Sequence, residues 1–148
     1  MRDVFHVFPT VITTAVTIDN NNWCPDCADF GLSDKNVAKF NSRHKSGVVS
    51  KEAYMVFELM SVPVTATRIF TPMVGSCTVE GGTYEVESQG VTITATTTIP
   101  VGTRWVCPLP LSHKQFVKPG IRTGSVWALA STFKAWIEMG RYDMSRFT

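Results

Sequence analysis

No run in this 148-residue chain approaches the roughly 20 consecutive apolar residues that a bilayer-spanning helix needs. The opening Met1-Arg2-Asp3-Val4 lacks the apolar stretch and small-residue cleavage site of a secretory signal. No Gly follows Met1 and no prenylation cysteine stands near Thr148. The expectation is a chain kept in the cytoplasm or within a virus particle, not secreted by a signal peptide, with peripheral membrane contact left open. Charge of one sign is also scarce: 14 Lys and Arg face 12 Asp and Glu, a net +2. A phosphate-binding surface needs clustered cations, and the densest basic stretch, Arg43-His44-Lys45, reads as a solvated loop, so nucleic acid is not an expected partner. Repeats and low-complexity tracts are missing. Gly81-Gly82 and Gly90 are not followed by the Lys-Ser/Thr of a phosphate loop.

What is present is globular. Hydrophobic residues make up 44% and charged residues 18%, and the length suits residues 1–148 as a single domain. Val4 to Phe8 is an apolar run stopped by Pro9, and the β-branched Val11 to Ile18 reads as a strand ended by Asp19-Asn20-Asn21-Asn22. Ser33 caps a short helix bearing Val37 and Phe40, and Ser50 caps a second over 50–60, with Ala53, Phe57 and Met60 at helical spacing. Val64 to Phe70 alternates as a strand.

The segment from Cys77 to Cys107 reads as a meander. A hairpin turns at Glu80-Gly81-Gly82; Val91 to Ile99 follows, with Val91, Ile93, Ala95 and Ile99 on one face and Thr92, Thr94, Thr96 and Thr98 on the other; Thr103 to Cys107 closes it. Ser125 then caps a helix whose stripe is Val126, Leu129, Ala130, Phe133, Trp136 and Ile137, with Gly140 as its stop. The expected fold is α+β: a mainly antiparallel sheet, packed by a C-terminal amphipathic helix, with one or two short helices in the N-terminal half.

Four cysteines in a reducing compartment point to free, metal-bound or redox-active thiols. Cys24-Pro25-Asp26-Cys27 places two sulfurs on one edge of a tetrahedron. One structural zinc ion is then conceivable, held by Cys24, Cys27, Cys77 and Cys107, with His44 as a substitute ligand. Trp23-Cys24-Pro25-Asp26-Cys27, with Val62-Pro63-Val64, also resembles the active site of thioredoxin-like proteins; that resemblance implies a thiol oxidoreductase with Cys24 as nucleophile and Cys27 as resolving thiol. Four ordinary buried thiols without a cofactor are the third reading, and the plainest.

No other catalytic set stands out. His6 lies in an apolar run, His44 and His113 lie in polar loops, and Ser112 is merely adjacent to His113. Asp26, Asp29 and Asp34 suit turns and caps. The threonine face is either a solvated sheet face or a binding surface; Trp105, Trp127 and Trp136 read as core, with Trp127, just off the helical stripe, the one candidate interface anchor. The leading functional expectation is a non-enzymatic structural or assembly protein. It would associate with itself and with other proteins of a larger particle, such as a viral or phage virion, as a matrix-type or capsid accessory component. A zinc-stabilised interaction domain and the thiol oxidoreductase are the alternatives.

Overall fold

The computed structural model describes residues 3–29, 53–109 and 114–139. Ten β-strands and no helix occur among the described residues: β1 (Asp3–Thr13), β2 (Asn20–Trp23), β3 (Ala28–Asp29), β4 (Ala53–Ser61), β5 (Ile69–Cys77), β6 (Glu85–Gln89), β7 (Ile93–Thr94), β8 (Arg104–Pro108), β9 (Phe116–Thr123) and β10 (Thr132–Met139). A four-stranded sheet runs β1-β10-β4-β8. A six-stranded sheet runs β2-β9-β5-β6, with β3 added on β9 and β7 on β5. Every pairing is antiparallel.

The α+β expectation is therefore corrected to all-β, and the C-terminal helix is a strand. Along β10, Phe133, Ala135 and Ile137 are buried, while Lys134, Trp136 and Glu138 are half-buried on the opposite face. Phe133, Trp136 and Ile137 also fit a 3.6-residue period, so the local pattern permits both structures. Pairing on both sides, with β1 and β4, satisfies the backbone of β10 as a ladder and decides between them. The expected helix over 50–60 fails for the same reason. Met55, Phe57 and Leu59 alternate inward from β4, which pairs with β10 and β8. The short helix expected after Ser33 lies outside the described residues.

Pro9 does not stop the first strand. β1 is an edge, where a missing N–H is tolerated, and the ladder slips between Phe8 and Ile12 around the proline. The meander holds only at its first turn, where β5 and β6 form the hairpin. β7 pairs back onto β5, and β8 leaves for the other sheet. Between them the inward positions Ile93, Ala95 and Ile99 pack on the core, whereas Val91 is exposed. Regular strand there shrinks to two residues because the neighbour of 95–99 is the irregular segment 64–68, met through a single bridge, Val64 to Ile99, and the bonds of Ala95 with Thr67 and Arg68.

The sheets pack face to face over one apolar cluster. Ile12, Met55, Phe57, Leu59, Phe133 and Ile137 project from the four-stranded sheet, and Phe70, Val74, Val117 and Ile121 from the six-stranded one. Phe70 is the aromatic centre: its ring meets Trp105 at 5.1 Å, Phe133 at 5.7 Å and Trp127 at 5.9 Å between centroids. Edge-to-face and tilted contacts of this kind add about 0.5–1.5 kcal/mol per pair beyond burial. The chain crosses between sheets at 14–19 and again at 124–131, and these crossovers are joined by Trp127 N–H donating to the Val16 carbonyl at 3.1 Å.

Candidate functional site

The four cysteines do not assemble. The Cys24 thiol is buried and donates to the Thr10 carbonyl at 3.2 Å; burial pushes it up to about 11. Cys27 is half-buried beside the Tyr84 hydroxyl, and burial raises it as well. That hydroxyl donates to the Glu80 carbonyl at 2.8 Å. Tyr84 itself is pushed up by burial first, then by Cys27 and the nearby Cys77. The Cys77 sulfur accepts from Val79 N–H at 3.4 Å. Cys107 sits in β8, in the other sheet, with the Ser88 hydroxyl at 3.5 Å; burial pushes it up to about 11.

Among the described residues, no group of three or more His, Cys, Asp and Glu side chains is placed to hold a metal ion, and all four thiols are free. His44, Asp34, Ser112 and His113 lie outside the described residues. An attacking thiolate needs a lowered pKa and a helix N-terminus or cation beside it. Cys24 has the opposite shift, and the short strand β3 follows Cys27 where a thioredoxin-like protein has a helix. His6 is packed against Phe8 at 4.7 Å, and its pKa is lowered by burial against the opposing pull of Asp26. Asp26 accepts from Thr10 N–H at 2.7 Å, and Asp29 from the Gln115 amide at 3.0 Å. These carboxylates tie the 23–29 segment to β1 and to the segment before β9.

Two other features carry more. The first is the outer face of the four-stranded sheet. Cross-strand register sets Val7, Trp136, Val56 and Val106 in one row, with Lys134, Glu58 and Arg104 in the next. Alternation in β10 demands this arrangement: with Phe133, Ala135 and Ile137 in the core, Lys134, Trp136 and Glu138 must face out. Glu58 holds Arg104 at 2.7 Å and Lys134 at 3.7 Å, and both cations lie beside the Trp136 ring, at 5.2 and 5.4 Å from its centroid. Val7 is 59% exposed. A depression of about 320 Å³ is lined by Val7, Arg104, Lys134, Trp136 and Glu138.

The second is a cavity of about 100 Å³ between segments 62–68 and 127–131. Trp127 lines it and is buried, a core residue and not an interface anchor; its indole N–H has no hydrogen-bond partner among the described residues. Val62, in the opposite wall, and Thr67, in the same segment but outside the lining, have φ of 56° and 71°. A β-branched residue in that region is an outlier that costs about 1–3 kcal/mol and persists only where the surroundings enforce it. Here the Ser131 hydroxyl donates to the Val62 carbonyl at 2.8 Å, and Thr67 N–H donates to the Ala95 carbonyl at 2.7 Å.

The threonine face is exposed at 92, 94, 96 and 98, but only Thr94 belongs to a strand, and the Thr92 hydroxyl bonds that of Thr71 at 2.9 Å. Reading 125–139 as a helix hid the outer face of β10. The period-two set Lys134, Trp136 and Glu138 was the signal that could have shown it.

No protein-family model matches the chain, and no curated protein matches it. Among solved structures, it is similar to the N-terminal endo-1,4-beta-D-xylanase 10B CBM22-1-GH10 modules of Clostridium thermocellum complexed with xylohexaose. Identity there is 13% over 97% of this chain, with a TM-score of 0.34. The chain spans 28% of that one, and a score this low carries no argument about fold or function.

Proposed function

We propose that the chain is a non-enzymatic assembly protein that pairs with a second copy of itself through the outer face of the four-stranded sheet. The observation that carries this is the row Val7–Trp136 with a cation on one flank and a carboxylate on the other. Trp and Arg are enriched where proteins meet, and a buried Trp is a frequent anchor. Lys134 and Glu138 stand two residues either side of Trp136 on the same face. Two copies laid face to face about a two-fold axis that crosses β10 at right angles beside Trp136 would run their β10 strands antiparallel, setting Lys134 against the partner's Glu138 twice. Glu138 has no ion-pair partner among the described residues, and Lys134 reaches Glu58 only at 3.7 Å. Edge pairing is the weaker route, because β1 carries Pro9 and two register slips that disrupt its free edge.

Within this proposal the pair is a building unit of a larger particle, a virion component being the setting considered. Sedimentation velocity over a range of concentrations tests the association. The expected result is a reversible dimer that Trp136→Ala weakens by about 30-fold or more, the effect of losing an anchor worth about 2 kcal/mol. A monomer at all concentrations would overturn it.

A further inference from the structure

We propose that the end of the sandwich where the two sheets are joined docks on the surface of an anionic lipid bilayer, inserting only its aliphatic side chains. This end is distinct from the outer sheet face, and the pairing proposed above leaves it uncovered. Strand direction gathers four connections there. Thr13, Thr132 and Ser61 lie level at that end of one sheet, and Asn20, Thr123 and Phe70 at that end of the other. Segments 14–19, 62–68, 95–103 and 124–131 run between these two rows. They lie side by side: Trp127 N–H donates to the Val16 carbonyl, 62–65 and 127–129 line one cavity, and Val64 bridges to Ile99.

The chemistry of this end fits lipid. Residues 14–18, 62–67, 95–103 and 124–131 include no Asp, Glu, Lys, Arg or His, in a chain that is 18% charged. A charge carried into a bilayer is costly, so a surface that enters one excludes it. Val16, Ile18, Val62, Val101, Val126 and Leu129 are all exposed there. A protein partner would meet Trp, Tyr or Arg anchors, whereas the one aromatic residue of these segments, Trp127, is buried. Backbone groups here bond one another, Thr14 with Ser131, Val64 with Ile99 and Gly124 with Ile69. Irregular backbone does not enter the hydrocarbon, so insertion stops at the boundary of headgroups and acyl chains. Just behind the apolar end, Arg68, Arg104, Arg122 and Lys134 outnumber Asp19 and Glu58. That excess of cations complements anionic headgroups.

The test is co-flotation of the full chain with vesicles of phosphatidylcholine and phosphatidylserine, with vesicles of phosphatidylcholine alone as a parallel arm. The chain should float with the mixed vesicles, and about tenfold less with phosphatidylcholine alone. Val126→Asp with Leu129→Asp, at positions 61% and 70% exposed that the fold tolerates, should cut flotation by about tenfold or more. Val79→Asp, also 61% exposed but beyond β5 at the opposite end, should leave flotation unchanged. A chain that never floats would overturn the proposal. So would flotation that ignores the double variant, or that is equal on both kinds of vesicle. Loss of a self-associated species in the double variant, with no flotation of either chain, would assign this end to contacts between copies and overturn it too.

Discussion

Thr14 and Ser131, separated by 117 residues, hydrogen-bond each other through three contacts. Thr14 N–H donates to the Ser131 carbonyl at 3.0 Å, Ser131 N–H donates to the Thr14 hydroxyl oxygen at 2.9 Å, and that hydroxyl donates to the Ser131 carbonyl at 3.2 Å. Both residues are 1% exposed. They lie where two of the crossovers between sheets, 14–19 and 124–131, run side by side, so the clasp helps fix how one sheet sits on the other. Thr14→Val keeps the shape and strands a buried N–H, at a cost of about 1–3 kcal/mol. Urea unfolding should show that loss, while Thr14→Ser, which retains the hydroxyl, should recover most of it.

The six-stranded sheet makes a different demand at Gly120. A Cβ there would lie 2.6 Å from Trp23 Cε3, and the same indole covers Gly75. Gly120→Ala must displace a rigid ring, and overpacking of this kind costs about 1–3 kcal/mol. A double-mutant cycle isolates the cause: with Trp23→Ala already present, Gly120→Ala should cost far less.

Thiol titration sets an alkaline limit on stability. Cys24 and Cys107 rise from 9.0 to about 11 on folding because burial disfavours their thiolates. Between these values the unfolded chain gives up protons that the folded chain keeps. The stabilisation is therefore complete below pH 9 and is lost as pH climbs toward 11. Each thiol contributes a slope on the order of 1 kcal/mol per pH unit. Denaturation midpoints between pH 8 and 11 should fall more steeply for the wild-type chain than for Cys24→Ala or Cys107→Ala. At pH 8 a thiol reagent should modify Cys27 first, since it alone of the four is only half-buried.

The all-β core gives a direct check on reading 132–139 as a strand. Phe133 is fully buried and touches both Phe70 and Trp105. Phe133→Ala should cost about 3–5 kcal/mol. Lys134→Ala, one residue along and facing out, should leave stability within about 0.5 kcal/mol. A helix packed by its stripe would make Ala130 as sensitive as Phe133, and Ala130→Ser separates the two arrangements.

How far residues speak locally differs along the chain. The hairpin between β5 and β6 was legible because Gly81-Gly82 interrupts two β-branched runs. Segments 53–61 and 132–139 were not, since Ala53, Phe57 and Met60, like Phe133, Trp136 and Ile137, keep a helical period, while Met55, Phe57 and Leu59, like Phe133, Ala135 and Ile137, keep a period of two; the choice is made by strands far away in sequence. Pro9 misled because its cost depends on whether the strand is an edge, which is a property of the sheet. Trp127 and Val62 come together only through the crossovers, and a valine with positive φ leaves no trace in composition. The Cys24-Pro25-Asp26-Cys27 spacing caught the eye, yet Cys77 and Cys107 end in different sheets.

The self-pairing of the β10 face is tested most directly by a charge exchange read by analytical ultracentrifugation. Lys134→Glu or Glu138→Lys alone sets like charges against each other and should convert the dimer to monomer. The double variant restores opposite charges across the two-fold axis and should restore the dimer. A chain that is monomeric throughout, or a dimer that ignores both single changes, would contradict the proposed interface.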